Sequence, residues 1–272
     1  FLNGPLYLNT EARPWMAPRA HARRAGVSAF GFGGTNFHAV LEEYTGELNP
    51  KSRPAVRSTW PAELMLWAGS SRAELLSRLE AIEGAIKERL SVRLSDLSFT
   101  FHEAYKKHIS EAGDSGARLA ITASSMDDLG EKIAFAFQAI RDGNGDISEP
   151  RGVYFTDRPP GNIGKIAFLF PGQGSQYLNM LKDLAILFPE IRSSFERADL
   201  VLRERFPEGL SGFIFPPPYF SVEAEREHKE RLSRTDAAQP SIGAASFGMY
   251  RLLKEMGLSP DVTAGHSYGE YT

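Results

Sequence analysis

The middle of the chain alternates short apolar runs with stretches in which apolar residues recur at helical spacing. The apolar runs predict three strands, at residues 63–67, 119–122 and 153–155. The helical spacing predicts two helices between these strands. The first opens with Ser71 and Glu74 and the second with Ser125 and Asp128, pairs that are typical of a helix N-terminus. We therefore expect a small three-stranded sheet with two helices packed on it.

A different order of elements is predicted after residue 163. Residues 166–170 form an apolar run that indicates a buried strand. Charges of alternating sign at 223–234 indicate a solvated helix. Apolar residues at helical spacing from 242 to 256 predict a helix that begins after Pro240, and residues 262–264 predict a short strand.

Glycine and proline divide the chain into three parts. Residues 1–46 are rich in glycine and indicate loops, residues 47–163 are bounded by proline-containing stretches, and residues 164–272 carry the strand–helix–strand order. The hydrophobic patterns of the first and third parts are separate. We therefore expect these two parts not to share a core, with residues 47–163 lying between them and packing against both.

Composition excludes several classes of protein. The 272 residues are 42% hydrophobic and 24% charged, which is ordinary for a globular protein. The net charge of −3 and the lack of a long basic run argue against nucleic-acid binding. No apolar run is long enough to span a membrane, so the cytoplasm is the expected compartment. The chain has no cysteine, and His102 and His108 lack the spacing of two ligands on one helical face, so a surface helix and no metal site are expected there.

The most specific chemical motif is Gly265-His266-Ser267-Tyr268-Gly269, which fits the nucleophile-elbow pattern Gly-x-Ser-x-Gly. In an elbow, a strand turns sharply into a helix and exposes the serine hydroxyl, and larger side chains at the two glycines would clash. The predicted strand 262–264 leads directly into the motif, as the elbow requires. The alternative is an ordinary glycine-rich turn that carries a surface serine.

A second glycine-rich loop follows the strand at 166–170. Gly172 and Gly174 flank Gln173 and let the backbone approach a ligand closely. The loop is not a dinucleotide-binding fingerprint, because Tyr177 stands where the third glycine belongs. Its backbone N–H could join that of Tyr268 in an oxyanion hole, and the alternative is a tight turn at the end of a strand.

A serine nucleophile needs a base, and the residues after Ser267 include no histidine. His266 is its neighbour, but adjacent side chains at an elbow point apart. The remaining candidates on sequence grounds are His38, His102, His108 and His228. We therefore expect the domain to be cut just after its nucleophile, with no room for the following helix and with little activity in this segment alone.

Segments 168–176, 239–240 and 265–270 together resemble the malonyl-type acyltransferase family of type I polyketide and fatty-acid synthases. The resemblance implies an α/β-hydrolase-like subdomain, here incomplete. Ser267 would take an acyl group, commonly malonyl, from acyl-CoA and pass it to the phosphopantetheine thiol of an acyl carrier protein, without a bound cofactor.

The same resemblance assigns roles to individual residues. Gln173 and Tyr268 would provide the oxyanion hole through their backbone N–H groups, and Gln239 and His266 would lie on the substrate side. The general-base histidine and the arginine that pairs with the malonyl carboxylate would lie downstream of Thr272.

Residues 9–11, 14–15, 26–36 and 41–43 resemble the C-terminal end of a ketosynthase. The resemblance implies that Phe32, Gly33 and Gly34 belong to a loop that lines the condensing site, whose catalytic residues lie elsewhere. It makes 1–46 the end of a ketosynthase-like domain, 47–163 a linker domain and 164–272 the start of an acyltransferase. The rest of both catalytic domains are then expected partners.

Tyr268 and the segment 216–239 resemble iterative synthases that make polyunsaturated fatty acids or enediyne polyenes. Two other functions remain open on the sequence. A serine hydrolase or thioesterase would share the elbow, but it would not account for the glycine-rich loop or the ketosynthase-like segment. A purely structural segment without turnover is the other alternative.

Overall fold

The computed structural model describes residues 6–17, 22–44, 60–87, 92–113, 116–143, 145–158 and 164–272. The chain divides into two compact units. The middle unit is Arg57–Gly164, and the terminal unit combines Phe1–Val56 with Lys165–Thr272. Of the proline-containing stretches that bound residues 47–163, at 49–50 and 158–161, all but Arg158 lies outside the described residues.

The first part of the chain forms a β-hairpin rather than loops alone. Strand β1 (Arg24–Ala29) pairs antiparallel with β2 (Phe37–Glu42). The prediction of loops over this part was wrong, because the glycines are needed only in the turn, where Gly33 has a φ of +90°. Phe32 at the turn is fully exposed.

The residues of the middle unit that the structure describes form a four-stranded antiparallel sheet and three helices. Its elements are β3 (Glu63–Gly69), α1 (Arg72–Lys87), α2 (Leu94–Ala112), β4 (Ala117–Ala123), α3 (Met126–Arg141), β5 (Ile147–Glu149) and β6 (Val153–Thr156). The strand order is β3-β4-β6-β5, so the three predicted strands are confirmed and share one sheet. The prediction missed β5, which is too short at three residues to show a pattern.

Both predicted helix starts in the middle unit are confirmed. The Ser71 hydroxyl accepts a hydrogen bond from the Glu74 backbone N–H at 3.2 Å, and the Glu74 carboxylate accepts one from the Ser70 N–H at 2.8 Å. At α3, the Ser125 hydroxyl accepts from the Asp128 N–H at 3.1 Å. These bonds satisfy N–H groups that have no partner within the helix.

The expectation of only two packed helices was wrong. Helix α2, which carries His102 and His108, also packs on the sheet. Its Phe101 ring lies 5.0 Å from that of Trp67 on β3, centroid to centroid. The core of the middle unit is formed by fully buried side chains from the strands and from the other two helices, including Met65, Leu75, Leu79, Leu119, Ile121, Leu129, Ile133 and Ile140.

The terminal unit also holds a two-stranded sheet of β7 (Ala167–Phe170) and β8 (Val262–Gly265), which confirms the two predicted strands. The two strands pair in parallel. Five helices lie between them: α4 (Lys182–Leu187), α5 (Pro189–Val201), α6 (Ser211–Ile214), α7 (Val222–Ser233) and α8 (Thr235–Glu255). Among the described residues, no helix combines the length and apolar character needed to cross a membrane.

Helix α8 begins at Thr235 and includes Pro240, whereas the sequence predicted a start after this proline. A proline inside a helix lacks an N–H and leaves the carbonyl four residues earlier without its usual partner. Tertiary packing outweighs this cost, because Ala237 and Ala238 in the first turn are fully buried.

The first and third parts of the chain contact each other, so the expectation that they do not interact was wrong. Arg13 donates to the carbonyl oxygen of Phe215 at 2.7 Å. Arg23 forms an ion pair with Glu196 on α5, and Met16 packs against the apolar cluster of α5 and α8. Contacts between residues so far apart in sequence leave no local pattern from which to predict them.

Candidate acyl-transfer site

The two parallel strands of the terminal unit place the two predicted motifs side by side. Phe170 at the end of β7 pairs with Gly265 at the end of β8. The backbone N–H of His266 also donates to the carbonyl oxygen of Phe170 at 3.1 Å. The loop after β7 and the elbow after β8 therefore leave the sheet at the same edge, where α/β folds bind ligands.

Ser267 occupies the position of a strained elbow residue. Its φ is +56°, in the left-handed region that side chains other than glycine rarely adopt. A five-residue 3₁₀ helix, Ser267–Tyr271, begins at this serine. From the sequence, no helix was expected after the serine. A tight 3₁₀ turn nevertheless fits into the few residues that follow.

Both glycines of the motif are required by close packing. A Cβ on Gly265 would lie 2.2 Å from the carbonyl carbon and oxygen of Gly269. A Cβ on Gly269 would lie 2.1 Å from the carbonyl oxygen of Phe170. These distances are far below van der Waals contact and involve backbone atoms that cannot rotate away. The geometry therefore favours a nucleophile elbow over an ordinary glycine-rich turn.

Gly172 is a residue of the site that the sequence analysis underestimated. A Cβ there would lie 2.5 Å from the carbonyl oxygen of His266 and 2.8 Å from Cβ of Ser267. The sequence pattern suggested that this glycine admits a ligand. It instead lets the loop after β7 pack directly against the elbow.

The two backbone N–H groups predicted to form an oxyanion hole are free to donate. Neighbouring N–H groups are used, since Gly174 donates to the Gln176 side chain at 2.8 Å and Ser175 to the Gly172 carbonyl at 3.4 Å. Within the described part of the chain, the N–H groups of Gln173 and Tyr268 donate no hydrogen bond. Both residues border the elbow, where a developing negative charge needs such donors.

The side chain of Gln173 is held by helix α8. Its amide nitrogen donates to the Thr235 hydroxyl at 3.2 Å. The amide nitrogen of Gln239 donates to the Gln173 side-chain oxygen at 3.4 Å. The structure thus brings together Gln173, Gln239 and Thr235, and no pattern in the sequence pointed to Thr235.

Tyr268 packs over the same helix. A Cβ on Gly243 would lie 2.9 Å from Cε1 and 3.1 Å from the hydroxyl of Tyr268, so this ring rests on the surface that the glycine leaves open. The ring centroids of Tyr268 and Tyr271 are 6.2 Å apart. The role of Gly243 was also missed, because a glycine inside a predicted helix gives no indication of its partner.

The histidines of the terminal unit that the structure describes, His38, His228 and His266, do not form a base for Ser267. The His266 side chain is exposed beside the serine, and the His38 ring pairs with the Ser28 hydroxyl at 2.8 Å in the hairpin. His228 packs on Tyr219, and its burial lowers the pKa of the imidazole. Of the histidines that the structure describes, none forms a hydrogen bond with the Ser267 hydroxyl.

An apolar cavity of about 500 Å³ lies in the terminal unit between β7, the loop after it and α8. Phe168, Tyr177 and Met249 are among its lining residues, and Ser267 is not. In the described ranges of the chain, no group of three or more His, Asp or Glu residues is placed to hold a metal ion.

Comparison with known proteins agrees with this geometry. Residues 167–272 match the family model described as acyl transferase domain, and residues 1–110 match the model described as ketoacyl-synthetase C-terminal extension. The second match crosses the boundary predicted at residue 47. Across 98% of its length, the chain is 34% identical to a polyunsaturated fatty acid synthase from Thraustochytrium sp.. It is 32% identical to polyketide synthase GfsA from Streptomyces halstedii over the same share.

The chain spans only a small part of these relatives, 10% of the first and 3% of the second. Among solved structures, the acyl transferase domain of ZmaA superposes with a TM-score of 0.59 at 23% identity. That superposition covers 79% of this chain and 44% of the other. The acyltransferase domain from module 8 of the salinomycin polyketide synthase gives a TM-score of 0.56 at 19% identity, covering 80% and 45%.

The chain is therefore similar, over nearly its whole length, to a segment of polyketide and polyunsaturated fatty-acid synthases. Residues 167–272 form part of an acyl transferase domain, and residues 1–110 belong to the ketoacyl-synthetase C-terminal extension. Over about four fifths of its length the chain shares the fold of these two acyltransferase domains.

Proposed function

We propose that Ser267 is the nucleophile of an acyl transfer from acyl-CoA, with malonyl-CoA as the donor, to the phosphopantetheine thiol of an acyl carrier protein. The observation that carries the proposal is the strained φ of +56° at Ser267 between two glycines that tolerate no side chain. This strain exposes the hydroxyl at the edge of the sheet, and strain of this kind is concentrated at functional sites. The match to the acyl transferase domain model supports it.

The reaction has two half-reactions. The Ser267 oxygen attacks the thioester carbonyl of acyl-CoA, the carbon–sulfur bond breaks, and the CoA thiol leaves with the proton of the serine hydroxyl. The pantetheine thiol of the carrier protein then attacks the serine ester, and Ser267 recovers its proton. The N–H groups of Gln173 and Tyr268 would stabilise the oxyanion in both tetrahedral intermediates.

Three further roles complete this proposal. Gln239 would line the substrate side and hold Gln173, while His266 would border the acyl group. No described histidine forms a hydrogen bond with Ser267. The general base would instead be the histidine that the family resemblance implies downstream of Thr272. The turn with Phe32, Gly33 and Gly34 would line the condensing site of a ketosynthase, and 47–163 would act as a linker domain between the two catalytic domains.

The test is to incubate the full-length protein and its Ser267→Ala variant with radiolabelled malonyl-CoA. We expect a stable protein-bound label in the wild-type protein and none in the variant, before any carrier protein is added. Equal labelling of both proteins would contradict the assignment of Ser267.

A second step separates transfer from hydrolysis. When a carrier protein with its phosphopantetheine arm is added to the labelled enzyme, the label should move to the carrier faster than it appears as free acid. Release of free malonate at an unchanged rate, with an unlabelled carrier, would favour a thioesterase. Carrier protein without the phosphopantetheine arm is the matched control.

A further inference from the structure

The loop that carries Gln173 needs an external support. Gly174 follows this residue with a φ of +109°, and a Cβ there would meet no atom within 4 Å, so packing does not hold this side of the loop. The Gln173 backbone N–H can stabilise an oxyanion only if it stays aimed at one point beside Ser267. A donor that is displaced by about 1 Å loses much of its catalytic effect.

Helix α8 supplies this support at two points. The Gln173 amide nitrogen donates to the Thr235 hydroxyl at 3.2 Å, and its amide oxygen accepts from Gln239 at 3.4 Å. Thr235 and Gln239 are four residues apart on one helix and so lie on the same face. Both polar ends of one side chain are therefore fixed by a single rigid element.

Thr235 does not cap helix α8. It is the first residue of α8, the N-cap position is Arg234, and no side chain caps this N-terminus. A threonine here gives no helix-forming advantage over most residues. Its hydroxyl instead bonds Gln173, which lies 62 positions away in the sequence.

We propose that Thr235 is a positioning residue for acyl transfer, which rests on the proposed function of Ser267. Its hydroxyl, together with Gln239, holds the Gln173 side chain and so keeps the Gln173 backbone N–H aimed at the oxyanion. Gly172 packs against the elbow, so the start of the loop cannot move to restore the position of the Gln173 N–H once its side chain is released.

The experiment compares two variants of the full-length protein. Thr235→Val keeps the shape of the side chain and removes the hydroxyl, whereas Thr235→Ser keeps the hydroxyl. The rate of Ser267 labelling at saturating malonyl-CoA should fall about tenfold in Thr235→Val, less than the 10²–10³-fold for loss of a whole donor. The half-saturating concentration should change less than about twofold, because ground-state binding is untouched. Thr235→Ser should label within about threefold of the wild-type rate.

A double-mutant cycle shows whether Thr235 acts through Gln173. Gln173→Met retains the backbone N–H and removes the amide to which Thr235 bonds. In that background, Thr235→Val should cost nothing more, since the interaction is already absent. An equal tenfold loss in both backgrounds would overturn the proposal, and so would a wild-type rate in Thr235→Val or equal losses in the valine and serine variants.

The Ser267→Ala variant keeps the two proposals apart. Labelling of Ser267→Ala at the wild-type rate would mean that the proposed function itself fails. Absence of label in Ser267→Ala, combined with a wild-type rate in Thr235→Val, would mean that only the role of Thr235 fails.

Discussion

The four-stranded sheet of the middle unit and the sheet of β7 and β8 differ in how completely their strands are covered. In the middle unit, β4 lies between two neighbours and alternates buried and half-buried residues along its whole length. In the terminal unit, every residue of β8 is exposed, and Leu169 on β7 is 76% exposed. Parallel strands are normally buried on both faces. One unit therefore has an ordinary packed core, whereas the strands that lead into the candidate site are exposed in this chain, which spans 44% of the related acyl transferase domain.

Backbone strain follows the same division. In the described part of the middle unit, every residue with a positive φ is a glycine. Over the whole described part of the chain, the non-glycine residues with positive φ are Asn179, Leu181 and Ser267, which belong to the terminal unit. The candidate nucleophile Ser267 thus adopts a backbone conformation that is unusual for a residue other than glycine. Such departures from local preference are expected at functional sites.

The largest effect should come from adding one methyl group at the elbow. Gly269→Ala places a Cβ 2.1 Å from the Phe170 carbonyl oxygen, so the turn that exposes Ser267 cannot form as it does now. We expect labelling of Ser267 by malonyl-CoA to fall on the order of 10³-fold, as when catalytic geometry is lost.

The matched control for this change is Gly84→Ala in α1, where a Cβ would meet no atom within 4 Å. This substitution should raise the free energy of unfolding of the middle unit by about 0.5–1 kcal/mol, since alanine favours a helix. Two results would contradict the claim that a Cβ is excluded at the elbow and tolerated in α1. They are labelling of Gly269→Ala at the wild-type rate and destabilisation by Gly84→Ala.

A cavity in the packed core should have the next largest effect. Ile133 is fully buried in the core of the middle unit. Ile133→Ala removes three heavy atoms from a tightly packed site, so the free energy of unfolding of this unit should fall by about 2–5 kcal/mol. Chemical denaturation followed by the fluorescence of Trp67 measures this change. A loss below about 1 kcal/mol would mean that the core is less tightly packed than described.

A smaller effect is expected at Gly243, beneath the Tyr268 ring. Gly243→Ala favours the helix but brings a Cβ to 2.9 Å from Tyr268, whose backbone N–H is a proposed oxyanion donor. The labelling rate should fall about tenfold while the free energy of unfolding changes by less than about 1 kcal/mol. Thermal denaturation and the labelling rate, measured on one preparation, separate the two outcomes. Parallel losses of stability and rate would indicate simple misfolding.

The smallest predicted effect depends on pH. The backbone N–H of Ser124, with a contribution from the Lys132 ammonium, holds the pKa of the Asp128 carboxyl below its usual range. Because the folded-state pKa is lowered, the stabilisation is present above the unfolded-state pKa and is lost as pH falls through the folded-state value. Asp128→Asn should therefore cost about 0.5–1 kcal/mol at neutral pH and almost nothing in strong acid.

Asp127→Asn is the control for the pH prediction. Asp127 also lies in the first turn of α3, but its side chain does not cap the helix. The substitution therefore removes a carboxylate from the same turn without removing a capping bond. A pH-independent loss in Asp128→Asn, or the same loss in Asp127→Asn, would contradict the assigned cause.

Short-range patterns carried most of the successful predictions. The strands 63–67, 166–170 and 262–264, the cap at Ser71 and the elbow at Ser267 each depend on a few neighbouring residues. Periodicity and turn chemistry report on such neighbours directly.

What the sequence did not reveal depends on residues that meet only after folding. The bond from Gln173 to Thr235 joins two elements that no local pattern links. The sequence also predicted that α8 begins after Pro240. Because the helix in fact begins at Thr235, the prediction could not place Thr235 and Gln239 on one helical face. The ion pair of Arg23 with Glu196, which joins the first and third parts, was invisible for the same reason.

The most direct test of the account is to locate the acyl group on the protein. The full-length protein is treated with malonyl-CoA, quenched in acid and digested with trypsin, which cleaves after Lys254. Tandem mass spectrometry of the peptide that begins at Glu255 should then place one malonyl ester on Ser267, and this modification should disappear when carrier protein is added before the quench. A malonyl group on any other residue, with Ser267 unmodified, would contradict the account.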